Sequence, residues 1–181
     1  MKNIDQYTFL LLGIVLLFTQ CKSSLPALSI ANKELEQKFN NSANTWNKLK
    51  KQNNDSYEFS INEAGELGQF SITKLVVKKG KVIERSFLKT ENNNSGFAKL
   101  KEIYKETGRS VGQNSKGHVP ITLDQIYQDC AANRLTGNEK TQILSLRLDN
   151  NGIINTCGYS LKNCEENCFK GNSISGFKWL E

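Results

Sequence analysis

The chain has one histidine in 181 residues, His118. A metal site built on imidazoles, or a histidine pair sharing proton transfer, is therefore excluded. Gly108-Arg109-Ser110-Val111-Gly112 matches Gly-x-Ser-x-Gly in letters, but it lies in a Gly/Ser-rich stretch that reads as a loop, without the strand-to-helix turn a nucleophile elbow needs. His118 has Ser110 and Ser115 near it in sequence but no frame that would make either a nucleophile. Beside Val119-Pro120 it reads as a surface or structural histidine. Cys-x-x-Cys, the usual motif of thiol redox enzymes, is also missing. Gly108, Gly112 and Gly117 fit neither glycine-rich phosphate motif. Glu165 and Glu166 are adjacent, so their side chains point apart and make a poor facing pair for glycoside hydrolysis. No residue is left to assign as catalytic, cofactor-binding or metal-binding, and the expectation is a protein that is not an enzyme.

Long hydrophobic runs are scarce too. The longest, Tyr7 to Phe18, is about a dozen residues, too short to cross a hydrocarbon core of ~30 Å. Lys2 and the terminal amine precede it, as in the n-region of a signal peptide. Phe18-Thr19-Gln20-Cys21 follows, then the polar Lys22-Ser23-Ser24. A cysteine placed directly after such a run resembles the bacterial lipoprotein box. The resemblance implies cleavage before Cys21 by signal peptidase II and acylation of Cys21. Gln20 stands where most boxes carry a small residue, which is similar to the looser boxes of spirochaete lipoproteins. Residues 1–20 then form the leader, and residues 21–31 the lipidated cysteine and its tether. Several acyl chains, at ~0.8 kcal/mol per buried CH₂, would anchor the chain firmly. The expected location is the cell envelope, lipid-anchored, most simply at the outer membrane. An ordinary secretory leader or an uncleaved anchor is the alternative.

The leader holds one Lys and one Asp, so the mature chain keeps the formal charge of +6. The lysines fall into separate short clusters, Lys48-Lys50-Lys51, Lys78-Lys79-Lys81 and Lys99-Lys101-Lys105, the last interrupted by Glu102. Nucleic acid needs a contiguous basic face, so no nucleic-acid partner is expected. The excess reads as a solvated surface with mild attraction to anionic membrane or polysaccharide. Setting Cys21 aside, Cys130, Cys157, Cys164 and Cys168 remain. An even number outside the cytoplasm reads as two disulfides with three possible connectivities. The pairing expected is Cys130–Cys157, joining helix to sheet, and Cys164–Cys168, closing a loop. A four-thiolate zinc site is the alternative, although such sites commonly pair close cysteines twice.

From residue 32 the pattern is that of a folded domain. Leu35, Phe39, Ala43, Trp46 and Leu49 form one apolar stripe, with Asn32 as N-cap, for a helix over 32–52. Tyr57, Phe59 and Ile61 alternate as a strand. Strands over 69–77 and 82–88 follow, turning at Lys78-Lys79-Gly80-Lys81. Phe70 and Ile72 share one parity and Leu75 and Val77 the other, which predicts a bulge near Lys74. Phe97 to Glu106 reads as a short helix, and Thr107 to Gly117 as a mobile loop. Thr122 with Gln125 makes a capping box, and Ile121 with Ile126 a hydrophobic staple, for a second helix. Strands over 142–148 and 153–161 flank an Asn151-Gly152 hairpin turn, and a last strand covers 173–179. The fold class expected is α+β, an antiparallel sheet with helices on one face, from a helix-plus-three-strand unit repeated twice. Residues 32–181 form one domain, with possible halves 32–89 and 121–180 joined by residues 90–120.

Trp46, Tyr57-x-Phe59, the Val77 to Val82 hairpin with Gly80, and Thr122-Leu123-Asp124-Gln125-Ile126-Tyr127 together resemble a family of small bacterial secreted and lipoprotein domains of uncharacterised function. Two features depart from its pattern: the first half lacks a cysteine pair, and Cys164 and Cys168 flank the acidic loop. The resemblance implies a fold and an envelope location, and no activity. The function expected is a non-catalytic binding or structural role. The partner would be an unknown protein or polysaccharide, met by the open sheet face or the loop Thr107 to Pro120. An envelope enzyme inhibitor or hydrolase-associated module is the alternative.

Overall fold

Residues 32–65, 69–92, 98–164 and 168–181 are described by a computed structural model. The leader, Cys21 and most of the tether lie outside them. Helix α1 spans Lys33–Gln52, and the Asn32 side chain accepts hydrogen bonds from Glu34 N (2.9 Å) and Leu35 N (3.4 Å). Two glutamates in its first turn and two lysines in its last complement the helix dipole. Strands β1 (Tyr57–Ala64), β2 (Phe70–Lys78), β3 (Lys81–Asn92) and β4 (Ala98–Thr107) follow. After them come α2 (Leu123–Asp129), a wide turn at Cys130–Arg134, β5 (Gln142–Leu148), β6 (Ile154–Leu161) and β7 (Phe169–Trp179). The strands form one antiparallel sheet in the order β4-β3-β2-β1-β7-β6-β5. The class is α+β.

One sheet face carries the core. Phe39, Ala43 and Trp46 of α1 and Leu123, Ile126 and Tyr127 of α2 are buried with Tyr57, Phe59, Ile61, Leu75 and Val77. Trp46 sits at its centre, stacked on Tyr127 on one side and on Trp179 on the other, edge-on to Tyr57. Its indole Nε1 donates to Asp124 Oδ1 at 2.9 Å. Two buried phenols pin α2 down. Tyr57 OH accepts from Leu123 N, and Tyr127 OH bonds to Ser42 and accepts from Ile154 N. Burial lifts the Tyr127 pKa to about 12, so the phenol stays protonated and able to donate. The capping box of α2 is present: Gln125 N donates to Thr122 Oγ1, and Thr122 N to Gln125 Oε1.

Both expected disulfides are formed, Cys130–Cys157 and Cys164–Cys168. The first ties the end of α2 to the central strand of the second hairpin across 27 residues. Replacing both of its cysteines by alanine should cost about 3.5 kcal/mol in the loop-entropy account. Losing the bridge four residues apart should cost clearly less. Urea unfolding of the two variants tests this, and equal losses would contradict the ranking.

Several expectations give way. Where a short helix is expected over 97–106, the described residues 98–107 are strand β4, paired with β3 except at Lys101, which bulges out between Glu102↔Lys89 and Leu100↔Thr90. Its stripe of Leu100 and Tyr104 suits either period over so short a run, and pairing with β3 decided the outcome. No bulge occurs at Lys74, because the β1–β2 register runs unbroken through Ser60↔Lys74. The irregularity lies on β3, where Ile83 is left unpaired between Glu84↔Val76 and Val82↔Val77. The Asn151-Gly152 hairpin uses three loop residues, with Gly152 at φ 79° and Gly152 N donating to Asp149 O. The last strand begins at Phe169. The repeated unit is also not what the chain builds, since four strands follow α1 and three follow α2. The two meanders have opposite hands: β1-β2-β3 and β5-β6-β7 step the same way across the sheet from oppositely directed first strands. With both helices on one face, no rotation carries one onto the other.

Candidate binding face

Residues 108–120 are strapped to the sheet. Arg85 points to the core side of β3 and is 1% exposed. Opposite it on β4 is Glu106, 7% exposed. Their charges meet at 3.4 Å. Glu106 accepts from Gly112 N (2.8 Å) and Asn114 N (2.5 Å), while Arg85 donates to Asn114 O, Lys116 O and Tyr104 OH. Burial alone would raise the Glu106 pKa, but the strap amides and Arg85 outweigh it and hold the carboxyl below its ordinary range. Further along, His118 N donates to Thr73 Oγ1 at 2.9 Å. Gly117, at φ 71°, lies so close over Phe87 that a Cβ would strike the ring. The expected mobile loop is therefore a pinned cover over the β2–β4 half of the core face.

The opposite face is open. Among the described side chains, none that β1–β4 turn to it is buried. Its side chains fall into ranks across the strands. One rank is Ser60, Lys74, Ser86 and Lys105. The next is Asn62, Ile72, Leu88 and Ile103, and beyond it stand Phe70, Thr90 and Leu100. Ile103 is 66% exposed, Leu100 52% and Phe70 40%. Hydroxyl and cation thus give way to an apolar band along the strand axis. A shallow groove of about 460 Å³ runs over Ser60, Ile72, Lys74, Ser86, Ile103 and Lys105.

The charges here are layered. Lys74 and Lys178 both reach Glu58, at 2.8 and 3.1 Å, and Lys105 reaches Glu84 at 2.8 Å. The carboxylates lie low, at 13% and 26% exposure, and the lysines stand above them at 44–65%. Burial would raise the Glu58 pKa, but hydrogen bonds from Lys74 and Lys178 lower it. Three cations over two carboxylates leave the outer layer positive.

Of the residues singled out from sequence, all four described cysteines are bridged, so none is free to hold zinc in this state. His118 is half-buried, its Nδ1 2.9 Å from Val119 O. Cys21, Glu165 and Glu166 lie outside the described residues. Among the described residues no group of three His, Cys, Asp or Glu could hold a metal ion, and no helix is long and apolar enough to cross a membrane. The open-face band was not singled out in advance. Its signal was present in β2, where the parity change between Ile72 and Leu75 marks a strand with apolar residues on both faces. Comparison with protein-family models, curated proteins and solved structures finds no match to this chain.

Proposed function

We propose that this is a lipid-anchored protein of the cell envelope, most simply of the outer membrane, with a non-catalytic binding or structural role. In this reading acyl chains on Cys21 hold the domain to the membrane, and the open sheet face is its docking surface. The observation that carries the reading is the uncovered band of Phe70, Ile72, Leu88, Leu100 and Ile103 beside Lys74 and Lys105, on a sheet whose other face is filled. Exposed apolar patches rimmed by polar groups mark interaction sites. The loop Thr107 to Pro120 is the weaker candidate, because Arg85 and Glu106 hold much of it down. The alternative is an enzyme inhibitor or a hydrolase-associated module, which would use the same face.

The test is detergent-phase partition of the protein from its own cells, with protease shaving of intact cells. Native protein should enter the detergent phase and the Cys21→Ser variant should lose its acyl label. Native protein that stays aqueous would end the anchor reading. Cleavage on intact cells would place the domain outside, and protection would place it on the periplasmic side.

A further inference from the structure

We infer that the open face of β2–β4 docks on an anionic lipid surface, so that the domain lies against a membrane rather than swinging free of it. The inference names the partner of the proposed docking surface and rests on that reading.

Three observations carry it. First, the ranks have the polarity of an interface. Phe70, Ile72, Leu88, Leu100 and Ile103 occupy one end of the face, and Lys74 and Lys105 the neighbouring rank, with Ser86 between the two lysines and Ser60 on the far side of Lys74. An amphipath at a bilayer surface places apolar side chains at the acyl boundary and cations at headgroup level, and its affinity sums the two contributions. Second, the charge selects the occupant. Lysine ammoniums stand above Glu58 and Glu84, and the whole chain carries +6. A second copy of the same face would meet like charge, whereas an anionic surface is complementary. Third, the reach is short. Residues 21–31 are eleven residues between the expected lipid and the N-cap of α1, at most roughly 40 Å when extended. A domain on so short a lead stays near the bilayer, where even modest intrinsic affinity is amplified by effective concentration.

The experiment uses residues 22–181, which include every core residue from Phe39 to Ile174 and omit both leader and lipidation site. The probes are vesicles of equimolar phosphatidylglycerol and phosphatidylcholine, and vesicles of phosphatidylcholine alone, read by co-sedimentation. The chain should bind the anionic vesicles, less so as salt rises, and ignore the neutral ones. Leu100→Ser with Ile103→Ser should weaken binding about tenfold through lost apolar contact. Lys74→Gln with Lys105→Gln should weaken it by a similar factor, about tenfold. Far-UV circular dichroism should be unchanged in both, since none of the four side chains is buried. No binding to anionic vesicles overturns the inference. So does binding that neither pair of substitutions alters, which would be adsorption by net charge. Capture of polygalacturonate with vesicles ignored also overturns it, giving the face to a polysaccharide. Because this chain lacks Cys21, an aqueous partition of the native protein would sink the anchor and leave the vesicle result standing.

Discussion

Glu106→Leu should lower the unfolding free energy by about 3–5 kcal/mol at neutral pH, because it strands the buried Arg85 guanidinium without its counter-charge. Arg85 is 1% exposed, and its Nε has no hydrogen-bond partner among the described residues. Arg85→Met combined with Glu106→Leu should recover much of the loss, since an apolar pair of similar size needs no charge compensation. The strap should not recover with it. Gly112 N and Asn114 N lose their acceptor whenever Glu106 becomes leucine, so limited proteolysis between residues 108 and 118 should rise even in the stable double variant. A double variant as unstable as the single one would mean that the strap, not the ion pair, carries the energy. The sign of the pH effect follows from the direction of the Glu106 shift. Its folded pKa is depressed, so its contribution is fully present above the ordinary carboxylate range and fades as pH falls through the folded value. The gap between the native chain and Glu106→Gln should therefore close on acidification, as urea midpoints across pH would show.

The second large effect is expected at Trp46. Trp46→Ala removes a side chain 1% exposed that touches Tyr57, Tyr127, Phe177 and Trp179. Large-to-small changes of this kind cost about 3–5 kcal/mol, out of a total of about 5–15 for an ordinary domain. Trp46→Phe should cost distinctly less, keeping a ring between Tyr127 and Trp179 but removing the indole donor to Asp124, which retains Lys50 at 2.5 Å. Urea unfolding followed by far-UV circular dichroism measures both. A loss below about 1.5 kcal/mol for the alanine variant, the range of a volume-conserving swap, would show that the aromatic cluster closes over the gap.

These residues also show where sequence reading reached and where it stopped. The stripe from Phe39 to Trp46 and the capping box at Thr122 are local signals, and the structure places both as the spacing predicts. The Cys130–Cys157 pairing, expected from an even cysteine count, is formed. The Arg85–Glu106 pair is hidden in the sequence because the local pattern around Glu106 reads as a helix. Once β4 is a strand, cross-strand register puts Glu106 beside Arg85, and both face the core. The apolar band on the open face was hidden for a related reason. Alternation was expected to point all apolar residues inward, so Phe70 and Ile72 suggested a bulge. Register, a non-local property, decides both cases.

An open sheet of seven strands has two outer rims, each able to recruit a foreign strand into its ladder. Along β4, Lys99, Lys101 and Lys105 line one rim, and cations there discourage stacking of one chain on the next. β5 reads Gln-Ile-Leu-Ser-Leu-Arg-Leu and carries a single cation, Arg147, where β4 has three. There the ammonium of Lys38, carried in from α1, occupies the Leu146 carbonyl at 2.9 Å. A remote helix thus plugs the rim that has fewer cations of its own. Since α1 must be docked before Lys38 can arrive, a chain whose first helix folds late would pass through a stage prone to fibre-like assembly.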